Sequence, residues 1–213
     1  MDSFSDGGRY LDPDAALAHA RRLRAEGADV VELGPASSHP DAAPVPPAEE
    51  HRRLLPVLDG LAADGIPVSV DSTLRRTHRL ALAHHVAYLN DIHGFPDRDG
   101  YPELAASDCR LIVMHAVQRR GGATRVHTDP ATIQARITRF LSVRLAALEA
   151  AGIARERIVV DPGLGYFLGA DPEPSVVALG TIDRLRARFG VRVLVSPSRK
   201  SFLRALTGTD VPG

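Results

Sequence analysis

Short apolar runs recur along the chain at residues 29–33, 67–70, 87–92, 110–114, 158–160 and 191–195. Each has the length and branched content of a buried strand. Between them the apolar positions take a helical period, over residues 13–26, 47–63, 74–86, 130–151 and 174–189. Several of these segments carry a proline near the first turn, where its missing N–H leaves no bond unmade. Strand and helix therefore alternate, which predicts a parallel sheet with right-handed crossovers, either doubly wound or closed into a barrel.

The polar residues decide between those two. Ser37, Asp71, Asn90, His115, Asp161 and Lys200 each fall at or just past the carboxyl end of a strand run. Singly each reads as a turn former or helix cap. As a set they predict a barrel, because only there do all strand ends converge on one mouth, where such folds do chemistry. A closed barrel has eight strands in about 250 residues, and this sequence offers six runs in 213 residues. The expected architecture is an α/β parallel (β/α)8 TIM barrel with its first and last strands missing, residues 1–213 forming a single partial domain. Unpaired edges lead us to expect a chain that is inactive or weak in isolation.

Composition narrows the function. With 44% apolar and 24% charged residues, the chain buries one sizeable core. Lys plus Arg equals Asp plus Glu at 26 each, so no basic field favours nucleic acid or a membrane surface. The single Cys109 makes no internal disulfide, no apolar run reaches spanning length, and the first residues lack a secretory pattern; a cytoplasmic protein is expected. Lys200 is the only lysine among the 26 basic residues. Since lysine and arginine differ in geometry and hydration, an amine is expected to matter there.

Buried carboxylates and an amide facing one lysine suit a flat heterocycle rich in donors and acceptors. The sequence here resembles the dihydropteroate synthases, in order and over nearly the whole chain: Asp2-Ser3-Phe4-Ser5-Asp6-Gly7-Gly8, Val68-Ser69-Val70-Asp71-Ser72, Leu89-Asn90-Asp91-Ile92, Val113-Met114-His115, Asp161-Pro162-Gly163-Leu164-Gly165, and Ser198-Arg199-Lys200-Ser201-Phe202. The resemblance implies a pterin pocket lined by Asp71, Asn90, Met114, Asp161 and Lys200, with Asp71, Asp161 and Lys200 taking part in catalysis. It implies aminobenzoate contacts from Phe4, Ser37, Ser38, Pro40, Phe167 and Ser201, and closing loops that include Asp6 and His39. The implied reaction displaces pyrophosphate from 6-hydroxymethyl-7,8-dihydropterin pyrophosphate by the amine of p-aminobenzoate. Mg2+ would arrive with the pyrophosphate and not through protein ligands alone; a homodimer is a family expectation.

Two stretches depart from the family. The usual second loop, Gly-Gly-Glu-Ser-Thr-Arg-Pro, reads Gly34-Pro35-Ala36-Ser37-Ser38-His39-Pro40, and the usual Gly-Phe-Gly-Lys reads Gly165-Tyr166-Phe167-Leu168. Both look closest to the mobile sulfonamide-resistant Sul group, so Phe167 and the second loop are expected to reject sulfonamides by a clash. The segments bearing Asn-Val-Thr-Pro and Arg-x-His are absent. A pterin-binding methyltransferase domain and a non-catalytic pterin-binding paralogue are the rival readings. Residues 163–169 imitate a dinucleotide fingerprint, but the third glycine falls one residue late. The nine histidines show no zinc-protease spacing.

Overall fold

The computed structural model describes residues 10–118, 120–198 and 200–208, except the side chain of Ser201. Six parallel strands form one sheet in the order β1-β2-β3-β4-β5-β6: β1 Val31–Leu33, β2 Val68–Asp71, β3 Tyr88–Asp91, β4 Arg110–Met114, β5 Ile158–Asp161 and β6 Arg192–Val193. Each strand pairs with the next in sequence, the topology of consecutive β/α units in a barrel. The expected fold class is what the chain adopts.

Before β1 comes α1 Pro13–Ala25; the crossovers are α2 Pro47–Ala63, α3 Arg75–Ala83, α4 Tyr101–Ala105, α5 Pro130–Ala150 and the pair α6 Glu173–Leu179 and α7 Ile182–Phe189; α8 Ser201–Thr207 follows β6. Local chemistry starts them where the sequence says. Asp12 and Asp129 cap α1 and α5 by accepting from Ala15 N and Ala131 N, both at 2.9 Å, and a proline follows each cap. The helix α5 buries Ile133, Ile137, Leu141, Leu145 and Leu148, spaced three or four residues apart so that one stripe faces the sheet.

Two helical expectations need correction. Residues 174–189 do not form one helix; the chain breaks at Gly180 and Thr181, which separate α6 from α7, as glycine's low helix propensity allows. The short α4 between β3 and β4 escapes a period count because five residues make too little of a stripe.

Alternation along the strands divides the sheet into two faces. Val31, Leu33, Val70, Leu89, Leu111, Val113 and Val160 join the main core under the helices. On the opposite face Ile92, Met114, Ala123 and Phe167 make a small second cluster. That inner face carries the site. Among the described residues, no helix is long and apolar enough to cross a membrane.

Candidate active site

The strand register builds the inner face. Asp71 of β2 is the Cα partner of Asn90 of β3, and Met114 of β4 is the partner of Asp161 of β5. Four of the five residues expected to line the pterin pocket thus stand as two adjacent pairs at strand ends. Lys200, just before α8, completes the set: its charge acts on Asp161 first, then on Asp71 and Glu32. Its Nζ lies 4.8 Å from the centroid of the Phe167 ring, within range of a cation–π contact.

Burial sets the electrostatics. Asp161 is 5% exposed, and burial pushes its pKa up to about 6, against the Gly163 N–H and the Lys200 charge, which both hold it down. Asp71 is partly exposed at the mouth but closely surrounded. Burial and then the charges of Glu32 and Asp91 raise its pKa well above the ordinary carboxylate value, while Lys200 opposes. Burial lowers the pKa of Lys200, and Asp161 and Asp71 offset part of that. Each group moves toward its neutral form, as desolvation requires, and each is restrained by its partner.

The turn after β5 fixes Asp161. Gly163 N donates to Asp161 Oδ1 at 2.7 Å, with Gly163 at φ 74°. A Cβ there would lie 2.2 Å from His115 O. We expect Gly163→Ala to destabilise the fold by about 2–4 kcal/mol through a positive φ and an unavoidable backbone clash; a denaturation midpoint equal to the parent's would contradict this.

Of the six polar strand-end residues, His115 does not face the mouth. Its neighbour Met114 points inward, so alternation turns His115 to the helix side. There its ring packs edge-on against Phe140 at 5.4 Å, Nδ1 donates to Pro162 O at 3.2 Å, and burial pushes its pKa down to about 4.

The second loop lies over the mouth. Ser37, Ser38, His39 and Pro40 border a cavity of about 360 Å3 that also reaches Asp71 and Ile92. The loop is held by neighbours. Ala123 N donates to Ser38 O at 2.8 Å, Arg125 makes a two-pronged pair with Asp41 at 2.7 and 2.5 Å, and the rings of His39 and Tyr166 meet edge-on at 6.3 Å. Phe167 sits deeper, 4% exposed, in the inner cluster with Met114 and Ile92. Phe4 and Asp6 lie outside the described residues, as does the side chain of Ser201.

One inner-face residue was not anticipated. Glu32 of β1 accepts from Ser69 Oγ at 3.0 Å and from Asn90 Nδ2 at 3.1 Å. Its signal was a lone charge between Val31 and Leu33, which both face the main core.

A strand-end pocket on a parallel β/α sheet, walled by carboxylates, one amide and one amine, is a small-molecule site of the barrel-enzyme kind. The chain belongs to the family described as Pterin binding enzyme, whose profile matches residues 1–212. It is 60% identical over 207 residues to a dihydropteroate synthase type-2 of Escherichia coli, spanning 97% of this chain and 76% of the relative. Among solved structures it is similar to a dihydropteroate synthase from Xanthomonas albilineans in complex with 7,8-dihydropteroate. The TM-score is 0.80 and the identity 31%, over 99% of this chain and 74% of that one. It is also similar to the Yersinia pestis dihydropteroate synthase with a sulfonamide drug complex, with TM-score 0.85 and 28% identity over 98% and 75% of the two chains. Within its family the chain groups with the dihydropteroate synthases.

Proposed function

We propose that the inner-face pocket binds a dihydropterin pyrophosphate and joins it to p-aminobenzoate. The observation that carries this reading is the convergence of Asp71, Asn90 and Asp161 with Lys200 beside the apolar wall of Met114 and Phe167. A pterin has N–H donors along one edge, a carbonyl and ring nitrogens along others, and two flat apolar faces. The Asp161 carboxylate accepts from the donors, Lys200 donates to the acceptors, and Met114 packs against a face.

In the reaction the amine nitrogen attacks the methylene carbon, and the bond from that carbon to the pyrophosphate oxygen breaks with its electrons leaving on pyrophosphate. The amine then loses a proton. These residues act by orientation: a ring held from two edges keeps the methylene carbon in line with the incoming amine. Mg2+ would neutralise the leaving pyrophosphate. Among the described residues no group of three or more His, Cys, Asp or Glu side chains could hold a metal ion.

The second loop supplies the aminobenzoate side of the pocket in this reading, through Ser37, Ser38 and Pro40, with Ser201 and the first-loop residues Phe4 and Asp6 completing it. The Asp41–Arg125 pair sets where that loop rests. Arg125→Ala is expected to raise KM for p-aminobenzoate by roughly three- to tenfold and to change kcat less, as for a loop whose closed position is weakened. An unchanged KM would remove the clamp from the account.

Phe167 bears on sulfonamides. Its buried ring stands on the inner wall, between Lys200 and the residues that border the loop cavity. We expect Phe167→Gly to lower the sulfonamide inhibition constant by about tenfold or more while KM for p-aminobenzoate changes less, because discrimination by a clash vanishes with the bulky group. A constant that stays at the parent's value would assign Phe167 to packing alone.

The direct test is pyrophosphate release by the purified chain given the dihydropterin pyrophosphate, Mg2+ and p-aminobenzoate. Release that requires both substrates and is lost in Asp161→Asn supports the reading. Methyl transfer from methyl-tetrahydrofolate to a corrinoid would replace it with the methyltransferase alternative.

A further inference from the structure

Glu32 uses one oxygen for two neighbours: Oε1 accepts from Ser69 Oγ at 3.0 Å and from Asn90 Nδ2 at 3.1 Å. A carboxylate only accepts, so Asn90 must turn its NH2 toward β1 and its Oδ1 away. That Oδ1 is buried and has no hydrogen-bond partner among the described residues, although Asn90 is only 6% exposed. A buried acceptor with nothing to accept is unfavourable, and it calls for a partner from outside the chain. Asn90 shares its strand position with Asp71, so Oδ1 belongs to the face where the ring is held. Glu32 also acts on the charges of Asp71 and Lys200, which places its carboxylate in the same field.

From this geometry we infer that Glu32 is a positioning residue. It locks the Asn90 amide with Oδ1 toward the pocket, so that the site prefers a ring presenting an N–H donor there over one presenting a carbonyl. Without the carboxylate the amide is free to flip and can meet either edge. The inference rests on the pterin-binding reading and adds to it a source of ring selectivity.

Glu32→Gln is close to isosteric and removes the constraint, because a carboxamide can show Asn90 either its oxygen or its NH2. Ser69→Ala keeps the carboxylate but removes the second bond that holds it. Each protein would be titrated calorimetrically with 6-hydroxymethylpterin, which carries a 2-amino group, and with its 2-oxo counterpart. The quantity read is the ratio of the two dissociation constants. The parent should favour the amino ring, the ratio should fall on the order of tenfold in Glu32→Gln, the size of one hydrogen bond to a well-placed partner, and Ser69→Ala should move it the same way by less. A purely structural role weakens both rings together, so an unchanged ratio in Glu32→Gln overturns the inference and leaves pterin binding intact. If that variant does not fold, an unchanged ratio in Ser69→Ala does the same. A parent that binds neither ring overturns the pterin reading and this inference with it.

Discussion

Asp161→Asn should make the protein more stable at neutral and alkaline pH while removing most of its affinity for the pterin. Burial raises the Asp161 pKa to about 6, above the roughly 3.9 of an unfolded aspartate. A raised carboxyl pKa contributes stability that is fully present below the unfolded value and is lost as pH rises through the folded value. Above about pH 6 the parent therefore carries an ionised, buried carboxylate at a cost of about 3 kcal/mol, two pKa units at about 1.4 each. The amide never ionises. Relative to the parent, Asp161→Asn should gain about 2–3 kcal/mol between pH 4 and pH 8, read from urea midpoints across that range. The Gly163 N–H keeps an acceptor in the amide oxygen. His115, whose pKa burial lowers to about 4, titrates in both proteins and drops out of the difference. Pterin affinity at pH 8 should fall on the order of a hundredfold, since a hydrogen bond to a charged partner is worth about 1.5–3 kcal/mol and the carboxylate offers more than one. A stability difference independent of pH would show that the carboxylate is not strained by burial.

The second large effect is expected at Lys200. Its charge holds down the pKa of both Asp161 and Asp71, and its amine stands over the Phe167 ring at 4.8 Å. Lys200→Met should weaken pterin binding by about a hundredfold. It should also move the pH at which binding sets in above the value of about 6, because removing a neighbouring positive charge raises a carboxyl pKa further. Lys200→Arg should rescue little. A planar, larger guanidinium does not place its charge where a compact ammonium does, and a chain that otherwise uses only arginine keeps lysine at this one position. Full binding by Lys200→Arg, with an unmoved pH midpoint, would leave only a general positive charge at this position.

Much of this architecture was legible in the sequence for a physical reason. Strands of a parallel sheet covered by helices read as largely apolar runs, so all six were visible, and the carboxyl-end polar residues Asp71, Asn90, Asp161 and Lys200 do lie together. What the runs conceal is which side of the sheet a residue takes. His115 follows Met114 by one position and so faces the helices, where it meets Phe140; being polar and at a strand end was not enough to place it. Glu32 is the converse case. The strand β1 has only three residues, too few to show a pattern, and its inward carboxylate became visible only through its bonds to Ser69 and Asn90. The contact between residues 38 and 123 joins segments that no local period connects, which is why the seating of the second loop was not legible in the sequence.

Conflict between stability and binding is the common theme of the inner face. Asp71 and Asp161 are both pushed toward protonation, Lys200 toward deprotonation, and Asn90 Oδ1 has no hydrogen-bond partner among the described residues. Perturbed groups concentrated in a pocket are what a site that meets its ligand's donors and acceptors should show. In the proposed function a bound ring would supply these partners, so adding the pterin is expected to raise the thermal stability by linkage.

The most direct measurement is a titration of the purified chain and of Asp161→Asn with the dihydropterin pyrophosphate at pH 8, followed by addition of p-aminobenzoate while pyrophosphate is monitored. The account predicts that the parent binds the pterin, that Asp161→Asn binds it on the order of a hundredfold more weakly, and that release requires the second substrate and is slow, as expected of a sheet that ends at β1 and β6 among the described residues. Equal binding by the two proteins, or none by the parent, would contradict it.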